Sequence, residues 1–447
     1  MISRRRAIVA FPPLQARRLQ GEVVRRSARG LLALGLLLEL GCGSDEPERI
    51  EQIETTLELR GTASRLSAVG PEDGFASSDN EDFAWRLFAL ESDAASNLVF
   101  SPYSISVTFA MLSAGAQRQT LTEIQSTLGF SNGGSDFHAS HNRVLQALDT
   151  RNLEGTESTN AQTLRLSNDL WLLPELRPSE PFLDTLSANY GAGVYLTRFD
   201  ALPEQSRLAI NAKVAEDTNQ LIRDLLAPGS VTPETLLVLT NAIYFNARWA
   251  EEFQPSETER LPFVSAQGES VDTELMHKGD FTVSFQVTDD YAAVSLPYWG
   301  GELELVAIMP TAGTFAEFAR ELRATRVDGI VAGLDAGTVD LLFPKFEIQS
   351  DLPLGQDLRA LGMQLAFTPE ADVGSIGAGV YVSDAVHSAT ILLDEEGTQA
   401  AAATATSAGA GPPSTPVPLH FDHPFVFLIR DVATDLTLFV GQFVVPD

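Results

Sequence analysis

Apolar residues recur at helical spacing through the first half of the chain and in alternating or unbroken runs through the second. Phe83, Leu87, Phe88 and Leu90 predict an amphipathic helix over residues 80–90. Ser101-Pro102 predicts the start of another, with serine as cap, proline in the first turn, and Ile105, Phe109 and Leu112 following. Thr120 and Glu123 have the spacing of a capping box and predict a third helix from Thr120. Helical periodicity returns near 180–190, 206–226, 314–323 and 354–362. Strand-like runs cover 236–245, 281–285, 303–309, 339–343, 380–393, 421–429 and 436–444. Helices early and strands late predict an α+β domain with large, mostly antiparallel sheets rather than an alternating βαβ fold.

Ahead of this domain lies a different pattern. Eight arginines between Arg4 and Arg29 precede an apolar block over 31–40, which is far shorter than the ~20 residues a membrane span needs. Gly41-Cys42-Gly43 then resembles a bacterial lipoprotein signal, in which Cys42 would carry the lipid. A plain secretory leader is the alternative, and both place the protein outside the cytoplasm. The expected organisation is a signal peptide over 1–41, an acidic flexible stalk over 42–79 and one domain over 80–447.

Composition narrows the chemistry. The chain has 60 acidic residues against 30 basic ones, and loss of residues 1–41 leaves 58 against 22. Such a surface repels phosphate backbones, so nucleic acid is excluded as a natural partner, as is a polyanion site with only three lysines present. A single cysteine supplies neither an internal disulfide nor a cysteine metal cluster. No phosphate loop, zinc-protease helix or serine-hydrolase elbow occurs, and nothing nominates a nucleophile. His138/His141 and His420/His423 are expected at the surface or in turns rather than on a metal, and Gly191-Ala-Gly193 and Gly377-Ala-Gly379 in turns. No cofactor is expected.

The informative segment follows residue 393. From Thr398 to Thr406 every even position is Thr or Ala (Thr398, Ala400, Ala402, Thr404, Thr406), and in an extended chain these side chains share one face. Such a strand can enter an existing sheet without overpacking what lies beneath, whereas a charged residue on that face would be buried unpaired. The segment from Glu395 to Thr404 resembles the hinge of inhibitory serpins. Further stretches resemble that family in the same order: Asn97 to Ile105, Leu239 to Trp249, Leu341 to Phe346, Leu361 to Met363, Val382 to His387, Asp422 to Phe427 and Leu438 to Gly441. Lys213 departs from it, standing where the family's helix carries Trp, and Gln220-Leu221 replace Gly-Lys.

The resemblance implies the serpin fold: three mainly antiparallel sheets, eight to nine helices and an exposed reactive-centre loop over about 397–418. It implies an inhibitor rather than an enzyme, a suicide substrate whose cut loop enters the main sheet and traps the protease. The hinge would comprise Glu395, Gly397, Thr398, Ala400, Ala402 and Thr404. Ser101, Ser104, Asn241 and His387 would form a polar cluster under the opening sheet, with Trp249 at its top. Counting on about sixteen residues from Glu395 reaches Gly411-Pro412, and counting back from His423-Pro424 reaches Pro413-Ser414. Ala408-Gly409 and Ala410-Gly411 are chemically better bonds, and Ala410 is preferred. Small residues there point to elastase-like or subtilisin-like serine proteases, with cysteine proteases as a further class. The expected molecule is a monomer that meets a membrane only through a lipid anchor. A non-inhibitory serpin-fold binding protein of the cell surface is the competing reading.

Overall fold

The computed structural model describes residues 56–68, 75–130, 134–153, 162–398 and 415–446, all within the unit Gln52–Asp447. Sheet A contains β1 (Thr56–Leu59), β3 (Thr163–Leu172), β4 (Val194–Thr197), β5 (Leu237–Arg248), β11 (Phe346–Leu352), β12 (Val382–Leu393) and β13 (Gly397–Thr398), in the order β1-β4-β3-β5-β13-β12-β11. Sheet B contains β2 (Leu98–Phe100), β6 (Glu259–Val264), β7 (Ser270–Val287), β8 (Tyr291–Pro297), β9 (Leu303–Pro310), β10 (Asp335–Pro344), β14 (Val417–His420), β15 (Phe425–Asp431) and β16 (Leu436–Phe443). The three expected sheets are joined by hydrogen bonds into these two. The 18-residue β7 is the reason: its first half pairs with β6 and its second with β8, while β10 pairs with both halves.

The helices are α1 (Phe75–Glu91), α2 (Pro102–Ser113), α3 (Arg118–Leu128), α4 (Ser135–Asp149), α5 (Glu180–Tyr190), α6 (Pro203–Asp217), α7 (Phe315–Glu321), α8 (Ala324–Ala332) and α9 (Leu354–Ala360). Every residue of α2 is buried, because it packs between β16 and the strands β3 and β5. Its predicted cap is present: the Ser101 hydroxyl accepts the Ser104 N–H at 3.2 Å. Sheet B's core is aromatic, with Phe343, Phe346, Phe421, Phe425, Phe427 and Phe443 in mutual ring contact. β5 is buried at almost every position, as a strand covered on both faces must be.

Four sequence expectations change. α3 begins at Arg118, and Thr120 and Glu123 do not cap it; they accept backbone N–H groups of Asp372, Gln364 and Leu365 instead. The capping box that does form is Thr314 with Glu317, at the start of α7. α6 stops at Asp217, not near 226, in a turn where Asn219 (φ +50°) and Gln220 (φ +67°) are both left-handed. His138 and His141 are not surface residues: both are buried in α4, His138 Nδ1 lies 2.7 Å from the Tyr190 hydroxyl, and burial lowers their pKa values to about 4 and about 3. Of the other pair, His420 is partly buried in β14 and His423 is exposed beside Asp422.

The fourth change concerns the expected stalk, because residues 56–68 form part of the fold. β1 pairs antiparallel with β4, from Thr56 opposite Thr197 to Leu59 opposite Val194. The following residues form a strap held by hydrogen bonds rather than by apolar burial. Asp184 Oδ1 accepts the N–H groups of Thr62 and Ala63, and the Leu66 carbonyl accepts from Asn142 and Gln146. The Ser187 hydroxyl accepts the Gly61 N–H.

Two outcomes follow. Gln220→Gly removes a side chain from a left-handed position and is expected to stabilise the protein by about 1 kcal/mol in denaturant unfolding. Asp184→Ala leaves two strap N–H groups without their acceptor, and is expected to speed tryptic cleavage at Arg60 and Arg65 by roughly tenfold, read by mass spectrometry.

Candidate functional site

The seam between β5 and β12 is the unusual part of sheet A. These strands run parallel and pair from Leu237 opposite Val382 to Ile243 opposite Ala389. Beyond that, among the described residues, no ladder joins 244–246 to 390–392. β13 fills the far end: Thr398 lies opposite Ala247 on β5 and Leu393 on β12, and Gly397 lies opposite Arg248. Two buried hydroxyls on β12 lack a hydrogen-bond partner: that of Thr390, in the open stretch, and that of Ser388, opposite Ala242 near the end of the paired part.

A polar network closes the paired end. His387 and Asn241 face each other across the two strands. The Ser101 backbone N–H donates to His387 Nε2 at 2.9 Å, so the ring proton resides on Nδ1 and is donated to Asn241 Oδ1. Burial of the whole ring lowers the His387 pKa to about 3 and keeps it neutral. The Asn241 amide then donates to the Ser104 and Thr108 hydroxyls at 2.7 and 3.0 Å, and to Asn168 Oδ1 on β3. Ser101, Ser104, Asn241 and His387 thus meet as expected. Asn168 and Thr108 complete the network but were not anticipated, since neither lies in a stretch whose pattern marks it.

The hinge is clamped at the open end. Asp394 N–H donates to the Gly397 carbonyl at 2.9 Å, and the Asp394 carboxylate accepts from Glu396 and Gly397, closing a tight turn from β12 into β13. Glu395 is buried and takes the Thr258 hydroxyl at 2.7 Å and the Lys345 ammonium at 2.9 Å. Burial alone raises its carboxyl, but those two donors reverse the shift and hold it below the usual range. Gly397 adopts φ +154°, and a Cβ there would lie 2.2 Å from the Ala247 carbonyl oxygen, so only glycine fits.

Thr398 is 1 % exposed, and its hydroxyl lies 2.7 Å from that of Tyr298. The Tyr298 ring stacks on Trp249 at 4.7 Å, and Trp249 Nε1 donates to the Asp394 carbonyl. Trp249 therefore stands at the hinge end of the seam, apart from the His387 network. Tyr298, Lys345 and Thr258 were also not anticipated; Lys345 lies in the Leu341 to Phe346 motif, which carried no role for it.

Ala400, Ala402, Thr404, Ala408, Ala410, Gly411, Pro413 and Cys42 lie outside the described residues. The chain resumes at 415 and enters β14, parallel to β10.

The seam thus leaves β5 and β12 unpaired with each other over 244–246 and 390–392, with β13 between their far ends. The chain belongs to the serpin family: the family model described as serpin (serine protease inhibitor) matches residues 78–446. Iripin-2 of Ixodes ricinus is 32% identical over 81% of this chain and 91% of its own length, and human serpin B3 is 29% identical over 82% and 98%. Among solved structures, the native state of the thermophilic serpin tengpin has a TM-score of 0.75 at 24% identity, covering 87% of this chain and 98% of its own. Human thyroxine-binding globulin with thyroxine has 0.72 at 28%, covering 83% and 98%. The fold therefore serves both inhibitors and proteins that bind other ligands.

Tyr298→Phe deletes the partner of a buried hydroxyl at a cost of about 1 kcal/mol. Faster amide exchange confined to residues 394–398 is the expected reading by mass spectrometry.

Proposed function

We propose that this serpin is a protease inhibitor that acts as a suicide substrate. The observation that carries this reading is Thr398, seated between β5 and β12 at the mouth of an unpaired seam and followed by Ala400, Ala402, Thr404 and Thr406 at the positions that would face the same way. A strand of small, uncharged residues can continue into the seam with nothing charged to bury. Strand insertion with release of stored strain is already the known mode of the fold. The protease serine would attack the carbonyl of Ala410, release the Gly411 amine and remain esterified to the loop as the loop enters the sheet. Small residues around this bond favour elastase-like or subtilisin-like enzymes.

The arginine-rich leader and Cys42 support a place outside the cytoplasm, with the inhibitor held at the cell envelope through a lipid or secreted. Likeness to thyroxine-binding globulin supports a surface binding protein as the second reading, but that role gives no reason for an insertable strand.

The test is incubation of the full chain with elastase- and subtilisin-type proteases. A covalent complex that survives SDS, together with a higher melting temperature after loop cleavage, is expected. Thr398→Arg places a charge on the buried face and is expected to convert the inhibitor into a cleaved substrate, with complex yield falling at least tenfold. Cleavage without complex by every protease in a broad panel would leave the binding-protein reading.

A further inference from the structure

α6 lies across the seam. Its Ile210 packs in one apolar cluster with Val238 of β5 and Trp171 of β3, its Val214 in another with Ala242 of β5, and Val386 of β12 packs against both. A strand entering between β5 and β12 must part these contacts, so whatever holds α6 on sheet A also holds the seam closed.

The last turns of α6 are held by polar groups. The Ser167 hydroxyl of β3 lies 2.6 Å from Asp217 Oδ2 on α6 and 3.2 Å from Asp169 Oδ2 on its own strand. One hydroxyl proton serves one of these carboxylates at a time. Lys213, one turn before Asp217, pairs with it and lies over the Tyr195 ring of β4, while Glu58 of β1 sits opposite Tyr195. All these groups line a cavity of about 670 Å³, as do Arg60, Arg65, Asp149 and Arg165. Asp169 and Asp217 thus share a single lysine, while Glu58 is paired with Arg60. Just beyond the cluster the chain runs through the left-handed pair Asn219 and Gln220, with Asn219 touching the Tyr244 hydroxyl of β5 only at 3.4 Å.

We propose that Ser167, Asp169, Lys213 and Asp217 form a proton-dependent clasp between α6 and sheet A, tight when Asp169 is protonated and looser when it is ionised. With Asp169 neutral, Lys213 and Asp217 balance each other and the Ser167 hydroxyl donates to Asp217. With Asp169 ionised, a carboxylate stands buried under the helix, stripped of water at a cost that Lys213 offsets only in part and Asp217 adds to. Ser167 cannot serve both carboxylates, and lifting α6 returns that of Asp169 to water. Burial, only partly offset by Lys213, raises the Asp169 carboxyl to about 6, within the range where cells and their surroundings vary. The sign follows: the protonated form is favoured by the closed state, so the clasp is complete below the ordinary carboxylate range and is lost as pH rises through about 6. Lys213 stays cationic, because Asp169 and Asp217 outweigh the opposing effect of burial. In the proposed inhibitor the consequence is faster loop uptake at neutral than at mildly acid pH, but the clasp itself does not require inhibition.

The test is amide exchange of residues 203–217 in the intact chain between pH 5 and 8, corrected for the intrinsic pH dependence of exchange. The readout must be local, because burial also raises Glu81 of α1 to about 7 and Asp357 of α9, beside Glu91, to about 7, and both affect stability elsewhere. Protection of α6 is expected to fall about tenfold from pH 5 to pH 8. Asp169→Asn is expected to hold it at the acid level throughout. Asp217→Asn relieves the repulsion without removing the titrating group, and is expected to shift the midpoint downward. A flat profile in the unaltered protein, or an unchanged profile in Asp169→Asn, overturns the proposal. Both results stand whatever the protease experiment shows.

Discussion

Sheet A is held by a ladder that is complete at one end of the seam and absent in its middle. Among the described residues, β5 and β12 pair up to Ile243 and Ala389, separate, and are bridged again by the two residues of β13. An open ladder in a buried sheet is costly wherever polar groups lack partners, as the Thr390 hydroxyl does here. The surrounding structure must therefore prevent the strands from either closing or parting. The neutral His387 ring and the Asn241 amide fasten one end, and the Asp394 turn with Glu395 fastens the other.

The rare cations are placed accordingly. Of the three lysines, Lys345 neutralises Glu395 at the hinge and Lys213 pairs with Asp217 over sheet A. Lys278 donates to the Glu252 carbonyl, and the Glu252 carboxylate takes Arg248, which also reaches Glu396. In a chain with twice as many acids as bases, these cations thus sit where carboxylates crowd the hinge and the α6 face of sheet A. Many distant surface ion pairs would contribute little by comparison.

Much of this was legible in the residues, and the exceptions share a cause. Ser101-Pro102 announced α2 because a cap and a first-turn proline act within one helical turn. The face of Thr398 followed from the parity of a single strand. Thr120 and Glu123 misled because their side chains were taken up by Asp372, Gln364 and Leu365, which are remote in sequence. Asn168 joins the His387 network only because β3 lies beside β5, a pairing no local pattern encodes. The strap at 60–66 carries no apolar period because Asp184, Asn142 and Gln146 hold its backbone instead.

That strap also determines how the domain takes a mechanical load. Any pull delivered along the chain from residues before Thr56 meets the four-residue β1 first, then the contacts around Asp184, and reaches α1 only after both have yielded. The edge of sheet A next to β4 bears the tension, while the seam lies two strands further in, beyond β3. Force applied there would therefore strain the outermost strand before disturbing β5 and β12.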